Sequence, residues 1–175
     1  NNKAEWMFSV LITTNLLRAS IKNKARKLFF SSSACVYNAG KQLETFVPGL
    51  KETDAYPAEP EDGYGWEKLF SERMCRHFSE DFGLETRVVR YHNVYGPIGT
   101  YDGGREKAPA ALCRKIINAK LNNLETLDVW GDGKQTRSFL YISDCLDGTE
   151  KIFNSDSQQV YNVGSSEQVS INQMI

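Results

Sequence analysis

A tyrosine and a lysine four residues apart, Tyr64 and Lys68, constrain this chain most, because an apolar run ending in three serines lies about thirty residues before them. On a helix, residues four apart lie on the same side, so the phenol and the ammonium can share one site. A phenol has an ordinary pKa of about 10, and a neighbouring ammonium favours its ionised form. We therefore expect Lys68 to lower the pKa of Tyr64, although this spacing also occurs on ordinary solvated helix faces.

The apolar run at residues 28–30 predicts a short buried strand, and Ser31, Ser32 and Ser33 follow it directly. Hydroxyl groups at the carboxyl end of a parallel strand lie where α/β sheets bind ligands. Residues 1–25 have apolar side chains at helical spacing and lead into a basic cluster, which suits the end of a helix. A helix that leads into a strand is half of a βα repeat, so an α/β fold is expected.

Further helices and strands are predicted along the rest of the chain. A helix over residues 63–82 ends at Gly83, a residue suited to the left-handed conformation that follows many helices. Residues 37–60 contain three prolines and predict an irregular surface segment. The other predicted elements are a strand at 86–91, a helix after Gly104, a strand at 139–142, a helix with Asp144 at its N-cap, a strand at 160–164 and a helix start at Ser170.

Several side chains are predicted to be buried or structural rather than functional. The helix over residues 63–82 carries large apolar side chains at a spacing of four, which predicts a core face. The two histidines, His77 and His92, are interpreted as packing or surface residues. The residues predicted to pack inward are Trp66, Phe70, Met74, Phe78, Phe82, Leu112, Ile116, Ile117 and the cysteines Cys75, Cys113 and Cys145.

Composition excludes several classes of function. With 175 residues, the chain has the length of one domain. Its net charge of −1 produces no positive electrostatic field that would attract nucleic acid or an anionic membrane. No apolar run reaches the roughly 18 residues of a membrane helix, and without a recognisable signal peptide a cytoplasmic location is expected. The four cysteines lie 40, 38 and 32 residues apart and favour neither a disulfide framework nor a metal site.

The order of these motifs resembles that of a known superfamily. A strand, a serine and then Tyr-x-x-x-Lys on the next helix is the active-site order of the short-chain dehydrogenases/reductases. The sequence around Cys35 is similar to that of their extended branch, whose members modify nucleotide sugars. Over residues 29–172 the chain closely resembles the GDP-mannose 3,5-epimerase family. The segments that carry this resemblance are residues 31–35, 64–68, 92–97, 103–111 and 130–139.

The resemblance implies NAD as the cofactor and a catalytic role for five residues. Tyr64 would take the proton of the C4 hydroxyl, Lys68 would hold the tyrosinate and the cofactor ribose, and Ser33 would bond the carbonyl oxygen. Cys35 and Lys107 would be the acid and base on opposite faces of the sugar. Without the resemblance, Cys35 would be interpreted as a small buried side chain and Lys107 as a surface lysine.

The resemblance also implies contacts to the cofactor and to GDP-mannose or a related nucleotide sugar. Ser31, Ser32, Tyr64 and Lys68 would contact the cofactor. Without the resemblance, Asn93 would be interpreted as a turn residue, and Lys115 would be equally well explained as an exposed helix residue. The implied substrate contacts are Ser33, Ala34, Cys35, Asn93, Glu106, Lys107, Ala108, Lys115, Gln135, Thr136 and Arg137.

The predicted organisation is the later part of a Rossmann-type parallel sheet with part of a smaller substrate-binding region. Residues 1–99 are assigned to the NAD-binding domain and residues 100–175 to the substrate-binding region with returning Rossmann elements. No Gly-x-Gly-x-x-Gly motif is present in the sequence, so we expect a larger enzyme to contain this chain and these 175 residues alone to bind little NAD. By resemblance, residues 63–82 would form the face of a homodimer.

Two alternatives remain open. The first is a sibling nucleotide-sugar 4-epimerase or 4,6-dehydratase, although the dehydratases place an acidic pair where this chain has Ala34 and Cys35. The second, from another class, is a noncatalytic remnant that binds a nucleotide sugar or a partner subunit. An intact glycine-rich strand, turn and helix upstream would favour an enzyme over a remnant.

Overall fold

A computed structural model describes residues 5–42 and 49–175 of the chain. Helices and strands alternate through most of it, and three short 3₁₀ helices lie between the first strand and the second long helix. The elements are α1 Trp6–Lys22, β1 Lys27–Ser33, α2 Gly63–Phe82, β2 Glu85–Tyr91, β3 Val94–Tyr95, α3 Ala108–Leu121, β4 Thr136–Arg137, β5 Leu140–Tyr141, α4 Ile142–Asn154, β6 Val160–Val163, β7 Val169–Ser170 and α5 Ile171–Met174, with 3₁₀ helices at Ala34–Val36, Ala39–Gln42 and Glu52–Ala55.

A parallel sheet in the order β1-β2-β6 forms the centre of the fold and confirms the α/β prediction. Ser33 of β1 lies level with Tyr91 of β2, which in turn lies level with Val163 of β6. The three strands therefore end together, so the residues that follow them meet at one edge. Two small two-stranded sheets, β3 with β5 and β4 with β7, lie beside this edge.

Both faces of the central sheet are covered. Adjacent residues of a strand point to opposite faces, and Val88 and Val89 of β2 belong to two different hydrophobic clusters. Val88 packs with Leu17 of α1 and Cys75 of α2, whereas Val89 packs with Cys145 of α4. The layers are thus α1 and α2, the sheet, and α4. Among the described residues, no helix is long and apolar enough to cross a membrane.

Helix α2 has the bounds that the sequence predicts. The Asp62 side chain accepts a hydrogen bond from the Gly65 amide at 2.9 Å and caps the first turn. Gly83 has a φ of +68° and ends the helix in the left-handed conformation. Tyr64 and Lys68 therefore lie in the first two turns of a helix that is fixed at both ends.

The predicted core face of α2 is wrong in part. Trp66 and Phe70 are about half exposed, at 48% and 49%, and Phe82 is more exposed still, whereas Met74 and Phe78 are partly buried. The fully buried side of the helix instead carries small and polar residues, because a buried ion pair and the Ala34–Val36 turn lie against it. The residues buried on that side are Gly65, Glu67, Leu69, Ser71, Glu72 and Cys75.

Three other predictions about packing and capping are corrected. In α3 only Leu112 is buried, while Ile116, Ile117 and Cys113 are exposed. Helix α4 begins at Ile142 with Tyr141 as its N-cap, three residues earlier than expected, so Asp144 lies in its first turn and is not the N-cap. A carboxylate there still interacts favourably with the helix dipole.

Candidate active site

A cleft of about 530 Å³ lies at the edge where β1, β2 and β6 end. Ala34 and Cys35 follow β1, His92 and Asn93 follow β2, and Gly164 follows β6, so the three strand ends supply most of one wall. Thr136 and Arg137 of β4 also line the cleft. The structure thus brings together five residues that the sequence analysis assigns to the substrate: Ala34, Cys35, Asn93, Thr136 and Arg137.

Tyr64 and Lys68 lie beside the end of β1. The Tyr64 phenol and the Ser33 hydroxyl share a hydrogen bond. Lys68 Nζ donates to the Ser31 carbonyl at 3.1 Å and lies 5.5 Å from the centre of the Tyr64 ring. Helix α2 and strand β1 therefore bring the predicted tyrosine, lysine and serine into one group.

The pKa of Tyr64 is raised, which contradicts the expected lowering by Lys68. Partial burial of the phenol is the main cause, and the nearby Cys35 and Glu67 add to it, while the Ser33 hydrogen bond opposes it. The Lys68 ammonium is bonded to the Ser31 carbonyl and lies 3.9 Å from the Glu67 carboxylate, so its charge is shared with other oxygens. In this structure Tyr64 is an acid that keeps its proton at neutral pH.

The turn that carries Cys35 packs tightly against the start of α2. The Cys35 amide donates to Ser33 Oγ at 3.2 Å, which shapes the Ala34–Val36 turn. A Cβ at Gly65 would lie 2.2 Å from the Cys35 carbonyl oxygen, well inside any allowed contact. Glycine is therefore required next to Tyr64 so that the helix and the turn can approach. The Cys35 side chain is exposed.

Ser31 and Ser32 differ from what the resemblance implies in one respect. The Ser32 side chain is buried and its hydroxyl donates to the Glu72 carboxylate in the interior. Because this hydroxyl is hydrogen-bonded inside the protein, only the backbone of Ser32 could contribute to cofactor binding. Ser31 is exposed and uses its carbonyl to hold Lys68.

Asn93 connects the end of β2 to the region around β5. Its side-chain Nδ2 donates to the Ser138 carbonyl at 3.1 Å, and its own carbonyl accepts from the Leu140 amide at 3.1 Å. Arg137 Nη1 donates to the Thr136 carbonyl at 2.7 Å, and Gln135 Nε2 donates to the carbonyl of Trp130 at 3.0 Å. The two bonds of Asn93 hold the second wall of the cleft against the end of β2, whereas those of Arg137 and Gln135 are local to that wall.

A second group of predicted residues lies at α3, apart from the cleft lining. Lys107 is the N-cap residue of α3, and Ala108 is its first residue. Glu106 accepts from the Gly104 amide at 2.7 Å and from Arg114 at 3.0 Å. The pKa of Glu106 is lowered, mainly by its own backbone amide and also by Arg114.

Lys115 belongs to this second group and donates to the Asp128 carbonyl at 2.8 Å. Cys35 lines the cleft. Among the described residues, Glu106, Lys107, Ala108 and Lys115 do not line it. The opposed pair of Cys35 and Lys107 therefore stays a prediction.

The sequence analysis missed part of the cleft. His92 was interpreted as structural, and Asn162, Gly164 and the polar residues 165–168 were not assigned to the site, although Ser165, Ser166 and Gln168 line it. The signal was present in the sequence, because His92 follows the predicted strand at 86–91 and residues 165–168 follow the predicted strand at 160–164. The carboxyl end of a third parallel strand should carry site residues as those of the first two do.

Comparison with known proteins places this geometry in a family. The NAD dependent epimerase/dehydratase family matches residues 1–164. The chain belongs to this family. Its relatives include GDP-mannose 3,5-epimerase of Arabidopsis thaliana, which is 48% identical over 95% of this chain, and GDP-mannose 3,5-epimerase 1 of Oryza sativa subsp. indica, which is 50% identical over 95% of this chain.

The structural similarity agrees with the family. UDP-glucuronic acid 4-epimerase from Bacillus cereus, solved with UDP-glucuronic acid and NAD, has a TM-score of 0.71 and is 29% identical, over 94% of this chain and 48% of that one. The chain spans 43% of the length of each of the two curated relatives. The epimerase/dehydratase family thus accounts for the parallel sheet and for the position of the site at its carboxyl edge.

Proposed function

We propose that the full-length protein that carries this sequence inverts GDP-mannose at C3 and C5, giving GDP-L-galactose, with NAD as the cofactor. One observation carries this proposal: the cleft at the carboxyl edge has Cys35 on its wall, beside the bonded pair of Tyr64 and Ser33. The identity to the two plant enzymes, which covers 95% of the chain, supports the choice of reaction within the family.

The residues at the end of β1 fit the nicotinamide end of NAD. The Lys68 side chain is only 18% exposed, and its ammonium, which donates to the Ser31 carbonyl, would donate to ribose hydroxyls in the complex. Tyr64 is half-exposed and faces the same edge. When bound there, NAD would supply reversible hydride transfer at C4 of the sugar, with no net change in oxidation state.

Tyr64 and Ser33 would manage the proton of the C4 hydroxyl. The tyrosinate form of Tyr64 would accept that proton and return to the phenol, and Ser33 would donate to the developing carbonyl oxygen, which needs both groups within hydrogen-bond distance of one oxygen. Their mutual hydrogen bond already brings them together. Because the pKa of Tyr64 is raised, ionisation of the phenol requires Lys68 to leave the Ser31 carbonyl and approach the phenol oxygen.

Cys35 and Lys107 would carry out the inversion. A ketone at C4 acidifies the C–H bonds at C3 and C5, so a base on one face and an acid on the other can invert each carbon. Cys35 lies on the cleft wall with an exposed thiol. Lys107, at the N-cap of α3, would approach from the other side when the substrate bridges the two groups.

The remaining contacts would hold the nucleotide. Arg137 offers a planar fork suited to a pyrophosphate, with Gln135 and Thr136 next to it in the chain, and Lys115 on α3 would add a second cation. We assign Glu106 and Ala108 to the same substrate-binding group, and we place the boundary between the two regions near residue 99. A cytoplasmic location belongs to the same proposal.

A homodimer is also proposed. The outer face of α2 exposes Trp66 and Phe70, and the neighbouring α1 exposes Phe8, Leu11 and Ile12. Two adjacent helices that expose large apolar side chains form a patch larger than scattered surface residues do. A second copy of the same patch would bury it with two-fold symmetry.

Hydrogen exchange at carbon tests the proposed reaction. The full-length protein would be incubated with GDP-mannose and NAD in deuterated water, and deuterium at C3 and C5 read by NMR beside a Cys35→Ala variant. We expect exchange at both carbons in the wild type and loss of it in the variant, while the exposed Cys113→Ala variant serves as a control that keeps it. A change at C4 alone would favour a sibling 4-epimerase, the activity named for the Bacillus cereus neighbour.

A further inference from the structure

His92 lies in the cleft wall and has no role in the proposed reaction so far. It follows β2, precedes Asn93 and is half-buried. Its ring lies 6.0 Å from the Tyr37 ring, centre to centre, and its Nε2 lies 3.2 Å from Asn162 Oδ1. Which of the two ring nitrogens carries the proton decides what His92 can offer to a ligand.

A chain of hydrogen bonds fixes the orientation of the Asn162 amide. Asn162 Nδ2 donates to the Leu50 carbonyl at 2.9 Å, and a carbonyl can only accept. On the other side, Arg90 Nη1 donates to the Tyr37 hydroxyl at 3.1 Å, and that hydroxyl donates to Asn162 Oδ1 at 2.6 Å. The atom that faces His92 is therefore the amide oxygen.

The orientation of Asn162 in turn fixes the tautomer of His92. Because Asn162 Oδ1 can only accept, His92 Nε2 must carry the hydrogen. Burial is the largest effect and lowers the pKa of His92; the hydrogen bond to Asn162 opposes it in part, and the charge of Arg90 adds to the lowering. The ring is thus neutral at pH 7, and its Nδ1 holds a lone pair.

The lone pair of Nδ1 is accessible from the cleft. Gly164 lies against Cβ, Cγ and Cδ2 of His92, where an added Cβ would come within 3.0, 3.1 and 3.4 Å, and Nδ1 is not one of these three atoms. Within residues 5–42 and 49–175, Nδ1 has no hydrogen-bond partner, and it is not among the buried polar atoms that lack one. It therefore reaches the solvent of the cleft that His92 lines.

We propose that His92 is a substrate-positioning residue whose neutral ring presents Nδ1 as a hydrogen-bond acceptor to a hydroxyl of the hexose bound in the cleft. This inference rests on the proposed function. Every sugar hydroxyl can donate one hydrogen bond and needs an acceptor to receive it. Of the neighbouring cleft side chains, Arg137 offers only donors and Cys35 offers a thiol. The buried chain from Arg90 through Tyr37 and Asn162 would hold the ring in the one tautomer that accepts.

Nitrogen NMR of the full-length protein tests the tautomer without any substrate. Spectra of ¹⁵N-histidine protein at pH 7 would be assigned with His92→Gln and His77→Gln variants. We expect His92 to show a protonated Nε2 and an unprotonated Nδ1. A protonated Nδ1, or a doubly protonated ring, at pH 7 would overturn the proposal.

Two substitutions separate the two hydrogen bonds of the ring. A glutamine at 92 can keep the bond to Asn162 but removes the acceptor at Nδ1, whereas an asparagine can place an oxygen near Nδ1 and loses the bond to Asn162. We expect KM for GDP-mannose to rise about 3- to 10-fold in His92→Gln, with kcat little changed, and to be largely restored in His92→Asn. Thermal melting would confirm that both variants fold.

The outcomes distinguish this inference from the function on which it rests. Addition of GDP-mannose should shift the Nδ1 signal of His92 in the wild-type protein and leave His77 unchanged. Binding of GDP-mannose with no shift at Nδ1, or equal KM in His92→Gln and wild type, would overturn the role of His92 alone. No binding of GDP-mannose by the wild type would overturn the proposed function and this inference with it.

Discussion

The buried ion pair between Glu72 and Arg90 gives the sharpest test of how this site is held. Glu72 lies on α2, one turn after Lys68, and Arg90 lies on β2, two residues before His92. Arg90 Nε and Nη2 donate to the two Glu72 carboxylate oxygens at 2.9 and 2.6 Å, and both side chains are less than 5% exposed. The perturbation is Glu72→Gln, which keeps the shape and removes the charge.

The expected cost follows from the geometry. The guanidinium presents an N–H to each oxygen of Glu72, so whichever way the glutamine amide turns, its NH₂ group faces a donor. The Arg90 charge is then buried without its counter-ion, and removal of one partner of a buried pair costs about 3–5 kcal/mol. A loss of this size is a large part of the free energy of unfolding of a typical domain, roughly 5–15 kcal/mol.

Urea unfolding of the full-length protein measures this loss. The matched control is the double variant Glu72→Met with Arg90→Met, in which no charge is left buried. Because apolar replacement of a whole buried pair is often neutral, we expect the double variant to be more stable than Glu72→Gln. A loss below about 1 kcal/mol in Glu72→Gln, the value of a surface pair, would refute the argument. A double variant that is less stable than Glu72→Gln would also refute the argument.

Two further predictions follow from the packing around α2. Gly65→Ala would place a Cβ 2.2 Å from the Cys35 carbonyl oxygen. We expect this substitution to displace the Cys35 turn from Tyr64 and to lower kcat at least tenfold. In the control variant Gly83→Ala the added Cβ meets no atom within 4 Å, so this variant should lower stability but not kcat. Burial raises the pKa of Cys75 from 9.0 to about 12, so the stability it contributes is complete below the ordinary thiol pKa and is lost as pH rises towards the raised one. Urea midpoints at neutral and alkaline pH should therefore fall less in Cys75→Ala than in wild type, and equal falls would contradict the assignment.

Much of the fold follows from local signals in the sequence. Gly83 and Asp62 mark the ends of α2 because one tolerates a positive φ and the other accepts from a free amide. The run at residues 28–30 predicts a strand because nothing polar interrupts it, and the structure extends that strand over Lys27–Ser33. Parallel strands end at one edge, so the serines and Asn93 could be placed near one another before their contacts were known.

The features that were wrong depend on contacts between distant parts of the chain. The spacing of Trp66 and Phe70 predicts a core face, which is wrong for these two residues because the spacing does not show which other part of the chain covers it, and both are exposed. The side of α2 that the sheet buries is polar because Arg90, which comes 18 residues after Glu72, lies beneath it. Tyr37 and Asn162 are 125 residues apart in the sequence, so no local pattern indicates their hydrogen bond.

The position of Lys68 connects the corrected pKa of Tyr64 to the order of events at the site. In this structure the ammonium donates to the Ser31 carbonyl, and the phenol keeps its proton because it is partly buried near Cys35 and Glu67. A ligand whose hydroxyls replace the Ser31 carbonyl would draw the ammonium towards the phenol. Since a charge at shorter distance favours the tyrosinate more strongly, occupation of the edge and activation of the base would be one event. In the proposed reaction, such coupling would keep Tyr64 inactive until the cofactor ribose is in place.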